Sequence, residues 1–262
     1  MIKEYVGYID IFSKEECVDI VNRIDSLRKE WINLGSYDIK DGIIGYPPLW
    51  TLGAASYRDS IKSLKIYHKL KIKENDTLLN SFSDMYDKLL SKLTPVLGDC
   101  KLEDSLALPG FNIFAEKNTI KEKVSVKITD DLFRHIHKDR LNHLHYDHLS
   151  KIYSSVDINK IISITVSIEL PLMGSGICIW DDSVSKFHYD KGFAKEIIDE
   201  KIYSEYPEGE PYIVPYELGT AFCFSGEFDH QIAPSCTGYP GDRRITLQAH
   251  GILCDGAWRL FF

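Results

Sequence analysis

The stretch Leu141-Asn142-His143-Leu144-His145-Tyr146-Asp147-His148-Leu149-Ser150 sets nitrogen and oxygen metal ligands at the alternating spacing of a strand. Read as extended backbone, in which successive side chains alternate between faces, it puts His143, His145 and Asp147 on one side. Two imidazoles and one carboxylate with open positions opposite them suit a non-haem Fe(II) centre. His145 and Asp147 would supply one imidazole and the carboxylate, so a further histidine must come from a distant strand. His230 is the candidate.

The pattern His-x-Asp occurs three times, as His137-Lys138-Asp139, His145-Tyr146-Asp147 and His188-Tyr189-Asp190, so context has to choose among them. His188 lies in a polar insertion. His137 is followed by the charged run Lys138-Asp139-Arg140, which has the composition of a turn. His145 sits in a strand-like run just before the expected hairpin, with three potential ligands recurring at period 2, which favours it.

A second chemistry-bearing residue is Arg244, fourteen positions after His230. In an extended strand Arg244, Thr246, Gln248 and His250 share one face, and Ile245, Leu247 and Ala249 share the other. If the polar face points into a barrel, the guanidinium is a buried cation that requires an anion, and its planar fork suits a carboxylate. If the strand is turned over, Arg244 is a surface arginine. Spacing alone gives the two facings equal weight.

These residues need elements to hold them. Ser13-Lys14-Glu15-Glu16 has the form of a capping box, and Cys17, Ile20, Val21, Ile24 and Leu27 follow at helical spacing, predicting a helix over 14–31. A second helix, capped by Asn75 or Asp76, is expected from Leu78, Leu79, Phe82, Met85, Tyr86, Leu89, Leu90 and Leu93 up to Pro95 and Gly98. The glycines and prolines of 35–60 predict irregular structure there. Beyond Pro109-Gly110 the pattern turns to strands: Phe111 to Phe114, Val124 to Ile128, Ile162 to Leu170, Ile177 to Trp180, Thr220 to Phe224, Phe228 to Ala233 and Arg243 to His250. Pro171-Leu172-Met173-Gly174-Ser175-Gly176 predicts a hairpin between the third and fourth of these, and residues 181–211 form an insertion at one rim, a candidate lid.

Composition narrows the function classes. The 262 residues, 44% hydrophobic, are enough for one packed domain, and no internal repeat or linker divides them. We expect 1–110 as a helical support and 111–262 as a β core. No apolar run reaches the ~20 residues that span a bilayer, and the start of the chain lacks the features of a signal peptide, so the expectation is a soluble cytoplasmic protein. The net charge of −8 disfavours a partner that presents phosphates, which argues against nucleic acid. Six scattered cysteines without a C-x-x-C pair predict reduced, buried thiols.

Over roughly the last 125 residues the chain resembles the Fe(II)/2-oxoglutarate-dependent oxygenases. The likeness lies in an ordered set: His-x-Asp, an alternating strand, Gly174-Ser175-Gly176 leading to Trp180, Gly219-Thr220 running to Phe224-Ser225-Gly226, the distal His230, then Arg244-x-Thr246. Thr51 to Tyr57 and Leu108 to Phe111 also look like parts of such enzymes. The resemblance implies a double-stranded β-helix, a jelly-roll, cupin-like all-β core with N-terminal helices packed on one face. It further implies that His145, Asp147 and His230 bind Fe(II), and that Arg244 with Thr246 binds the distal carboxylate of 2-oxoglutarate. The expected reaction consumes O2 and 2-oxoglutarate and hydroxylates a C–H bond of a small molecule, an amino acid or a natural-product intermediate. The competing readings are a cupin-like metal-dependent isomerase, lyase or sensor that does not use 2-oxoglutarate, a protein side-chain hydroxylase, and a non-enzymatic β-sandwich. The sequence leaves the oligomeric state open.

Overall fold

The computed structural model describes residues 7–33, 49–56, 59, 63–115, 138–139, 141–180, 212–236 and 242–262. The strand expected at 124–128 and the insertion at 181–211 lie outside these residues, as do His137 and His188.

Two helices form the support. α1 (Lys14–Ser26) starts on the expected capping box: Ser13 Oγ accepts from the Glu16 amide, and the Glu16 carboxylate accepts from the Ser13 amide. Cys17, Ile20 and Ile24 form its buried stripe, and a short 3-10 turn, Arg28–Glu30, follows it. α2 (Leu64–Leu97) is longer than its apolar stripe predicts and bends at Phe82, where φ is −138°. Asn75 is therefore no cap. It is buried within the helix, donating to the Leu106 carbonyl and accepting from the Leu108 amide, and so holds the chain leading into the first core strand.

Twelve strands are described: β1 (Gly7–Asp10), β2 (Ile32–Asn33), β3 (Leu49–Leu52), β4 (Cys100–Leu102), β5 (Gly110–Ala115), β6 (Val156–Glu169), β7 (Met173–Trp180), β8 (Tyr212–Pro215), β9 (Thr220–Ser225), β10 (Asp229–Cys236), β11 (Arg243–Cys254) and β12 (Ala257–Phe261). Nine of them make a large sheet in the order β1-β9-β6-β11-β5-β3-β2, with β12 and β4 extending it beside β11, and β10-β7-β8 make a small one. From β6 to β11 the chain passes repeatedly between the two sheets, and side chains of both meet: Ile177, Ile179, Val214 and Tyr216 pack with Phe222 and Phe224. This is the expected double-stranded β-helix. The strand at Leu49–Leu52 corrects the expectation of irregular structure there; it pairs with β5 and widens the large sheet.

The step from β6 to β7 is likewise not the expected hairpin. β6 pairs with β9 and β11, whereas β7 pairs with β10 and β8. Gly174 and Ser175 both have positive φ (78° and 88°) where the chain leaves one sheet for the other.

The alternation of β6 decides which side of the large sheet does what. Ile162, Ile164, Val166 and Ile168, together with Ile245, Leu247 and Ala249, bury against the stripes of α1 and α2. Each such side chain contributes about 1.5–3 kcal/mol of burial. By period 2 the opposite face carries Ser163, Thr165 and Ser167 beside Thr246, Gln248 and His250. The helices take the oily face, and the polar face lines the space between the sheets. Cys17, Cys100, Cys178, Cys223 and Cys254 are buried free thiols, as composition predicted.

Candidate active site

The residues 141–149 are an α-helix, α3 (Leu141–Leu149), not a strand. Two residues along a helix turn the side chain by about 200°, so His145 and Asp147 point apart rather than together. His145 is 1% exposed, its ring 5.4 Å from those of Tyr67 and Phe261, while Asp147 is on the exposed side. Burial, and then the neighbouring His148, His68 and His250, pull the His145 pKa down to about 3. The structure thus does not bring together the pair that the extended reading placed on one face.

It brings Asp139 to His230 instead. Asp139 is 9% exposed, and its amide donates to the Gly226 carbonyl at 2.8 Å. A Cβ on Gly226 would lie 3.2 Å from Asp139 Cβ and 2.9 Å from Ile161 Cγ2, so this approach requires glycine. The Gly226 of the Phe-Ser-Gly run is therefore what lets Asp139 enter between the sheets.

His230, on β10, is buried, with its ring edge-on to Phe224 at 4.9 Å. Its Nδ1 is 2.9 Å from the Phe228 carbonyl. A carbonyl oxygen only accepts, so Nδ1 carries the hydrogen and Nε2 is the ring nitrogen turned toward the lumen. That Nε2 is 3.4 Å from Asp139 Oδ2. Two such atoms draw a proton or a cation between them, and an imidazole nitrogen and a carboxylate oxygen are both donor types that metals take. Among the described residues no three His, Cys, Asp or Glu side chains form a complete metal-holding group; Asp139 and His230 are a pair.

Further along the same face of β11 lies Arg244, 2% exposed. Its Cζ is 4.0 Å from the centre of the Phe114 ring, a cation–π contact, and its Nε and Nη1 are buried without a hydrogen-bond partner among the described residues. Burial pulls its pKa down to about 10, against the favourable effect of the nearby Tyr216. Tyr216 is itself buried, its pKa raised by burial and drawn back by Arg244 and by a hydrogen bond with Thr165. Arg243 faces the other way. It is paired bidentately with Asp25, at 2.7 and 2.8 Å, and with Glu169. Of the two facings that spacing left open, the inward one is found for Arg244.

Hydroxyls lie next to Arg244 in the strand register of the same face. Thr246 is flanked in register by Asn112 and Ser167, and Asn112 by Thr51. The hydroxyls of Thr51, Ser167 and Ser175 are buried without a partner among the described residues. A desolvated guanidinium and buried hydroxyls are the donor types that suit an anion with several acceptor oxygens, such as a carboxylate.

No protein-family model and no curated protein matches the chain. Among solved structures it is similar to an N-substituted L-amino acid dioxygenase from Burkholderia ambifaria AMMD, at 13% identity over 97% of this chain and 85% of that one, with a TM-score of 0.46. It is similar also to SnoN, a non-heme alpha ketoglutarate dependent epimerase from nogalamycin biosynthesis (11% identity, 98% and 81% covered, TM-score 0.49). A third is a prolyl-4-hydroxylase from Pseudomonas putida (9% identity, 98% and 94% covered, TM-score 0.38). At identities this low the roles of residues rest on this chain's own side chains.

Sequence reasoning missed Asp139, Ser163 and Tyr216. Asp139 stood in one of the three His-x-Asp copies, but its charged neighbours pointed to a turn. The contact with Gly226 that buries it has no local signal.

Proposed function

We propose that this chain is a non-haem Fe(II)- and 2-oxoglutarate-dependent oxygenase, a single domain that oxidises a C–H bond of a small molecule, with hydroxylation as the outcome. The observation that carries the reading is the pairing, within the space between the sheets, of the His230 Nε2 and Asp139 Oδ2 contact with the buried guanidinium of Arg244, whose Nε and Nη1 have no partner among the described residues. Asp139 and His230 would hold the metal, with His137 as third ligand. His137 lies outside the described residues and enters by its spacing from Asp139 in His137-Lys138-Asp139. When bound, the metal would supply the redox chemistry that couples O2 and the oxidative decarboxylation of 2-oxoglutarate to oxidation of the substrate.

The protein's own contribution is positioning. Arg244 gives the distal carboxylate of 2-oxoglutarate two directed N–H groups, and Thr246 adds a hydroxyl on the same face. Phe114 covers the guanidinium and keeps water from it, which strengthens the pair. Phe228 fixes the tautomer of His230 through its carbonyl. The acidic overall charge favours a small substrate over a nucleic acid.

The test is a screen of small molecules with Fe(II), 2-oxoglutarate and O2, scored by substrate-dependent succinate release. The expected result is release that is lost in Asp139→Ala and in His230→Ala. A protein that binds metal but shows no measurable affinity for 2-oxoglutarate would instead be a cupin-like isomerase, lyase or sensor.

A further inference from the structure

Asp139 Oδ2, the oxygen that faces His230, has two more neighbours on the polar wall of the lumen. The Ser163 hydroxyl on β6 donates to it, and His250 Nδ1 on β11 is 3.6 Å from it. Ser163 and His250 are partners in register across the two strands, and Ser163 Oγ is 3.5 Å from His250 Nδ1. All three side chains are buried.

The chemistry of these groups sets a direction. An ionised carboxylate only accepts, and a serine hydroxyl has one hydrogen. With that hydrogen given to Asp139, Ser163 Oγ has only lone pairs to offer His250, so Nδ1 must be the donor. The chain of hydrogen bonds therefore runs from His250 Nδ1–H to Ser163 and from Ser163 O–H to Asp139. Strand register holds the first two members in place, and the Asp139 amide bond to Gly226 holds the third.

We propose that Ser163 and His250 form a positioning relay for Asp139: the serine hydroxyl aims the carboxylate at the metal, and the histidine orients the serine. The proposal rests on the metal-site reading above. Outer groups of this kind fix ligand orientation, and their loss weakens metal affinity about tenfold to a hundredfold.

The test is Co(II) titration of the whole chain without 2-oxoglutarate, following affinity and the visible absorption that reports coordination geometry. Wild type, Ser163→Ala, Ser163→Thr, His250→Phe and the double variant Ser163→Ala/His250→Phe are compared, each checked for folding by circular dichroism. The relay predicts affinity about tenfold to a hundredfold weaker and an altered spectrum in Ser163→Ala, with both recovered in Ser163→Thr. It also predicts that His250→Phe weakens binding on its own but adds nothing in the Ser163→Ala background. Affinities within about threefold of wild type in folded Ser163→Ala, or a His250→Phe effect that persists undiminished without Ser163, would overturn the relay. Should His250→Phe not fold, the alanine and threonine variants of Ser163 decide alone. Equal Co(II) affinity in wild type and Asp139→Ala is a different result: it removes the metal-site reading itself.

Discussion

Arg243 and Arg244 are identical in type and adjacent in sequence, and period 2 sends them to opposite sides of one strand. Arg243 finds Asp25 and Glu169, whereas Arg244 is enclosed with Phe114 and Tyr216 and keeps N–H groups without a partner among the described residues. Arg244→Ala is expected to weaken 2-oxoglutarate binding by about tenfold to a hundredfold or more while sparing the metal, because a charge-assisted contact contributes ~1.5–3 kcal/mol. Arg243→Ala should leave that affinity unchanged; calorimetric titration of both variants checks the facing. His145 has a different consequence. Its folded-state pKa of about 3 lies below the ordinary value of 6.5, so between those values the unfolded chain binds a proton that the folded chain does not. The stability of keeping it neutral is present above pH 6.5 and is lost as pH falls through that window, by about 2 kcal/mol between pH 7 and pH 5. Urea unfolding at the two pH values should show a smaller loss for His145→Leu than for wild type. That Arg243 and Arg244 face opposite sides was legible because alternation is a local property; which of them faces inward was not, because it depends on how the sheet is covered. The choice among three His-x-Asp copies was not, because burial of Asp139 depends on a glycine 87 residues away (226 − 139).

At the scale of elements, the misplaced stretch is instructive. The period-2 recurrence of His143, His145 and Asp147 competed with a helical recurrence of Leu141, Leu144, His145, His148 and Leu149 in the same ten residues, and the helix is what forms. His145 belongs to its buried stripe, packed on Tyr67 and Phe261, and its chemistry served packing. The capping box of α1 and the alternation of β6 were legible because each depends on near neighbours. The sheet change after β6 was not, since Gly174-Ser175-Gly176 is compatible with a hairpin until the partners of β7 are known. The turn after β9 carries the element-scale prediction. Gly226→Ala should cost about 1–3 kcal/mol of stability, because the added methyl meets Ile161 and Asp139, and should also weaken metal binding by displacing Asp139. Thermal unfolding with and without metal separates the two effects: a variant as stable as wild type that binds metal equally well would show that the close approach is unimportant.

At the scale of the molecule, the large sheet divides stability from chemistry. Its helix-covered face is aliphatic, and its other face presents Ser163, Thr165, Thr246, Gln248, His250 and Arg244 to the space between the sheets. Ile164→Ala is therefore expected to cost about 2–5 kcal/mol in unfolding while leaving metal affinity unchanged in the folded protein. A loss of metal affinity of tenfold in that variant would show the two faces to be coupled. The general architecture could be anticipated from the alternating strands and the order of the motifs, whereas the pairing of Asp139 with His230 is a product of the closed fold. The most direct measurement of the central claim is Fe(II) binding, under anaerobic conditions, to Asp139→Ala, His230→Ala, His145→Ala and Asp147→Ala. Tight binding should be lost in the first two and kept in the last two. Retention in Asp139→Ala with loss in Asp147→Ala would contradict the site described here.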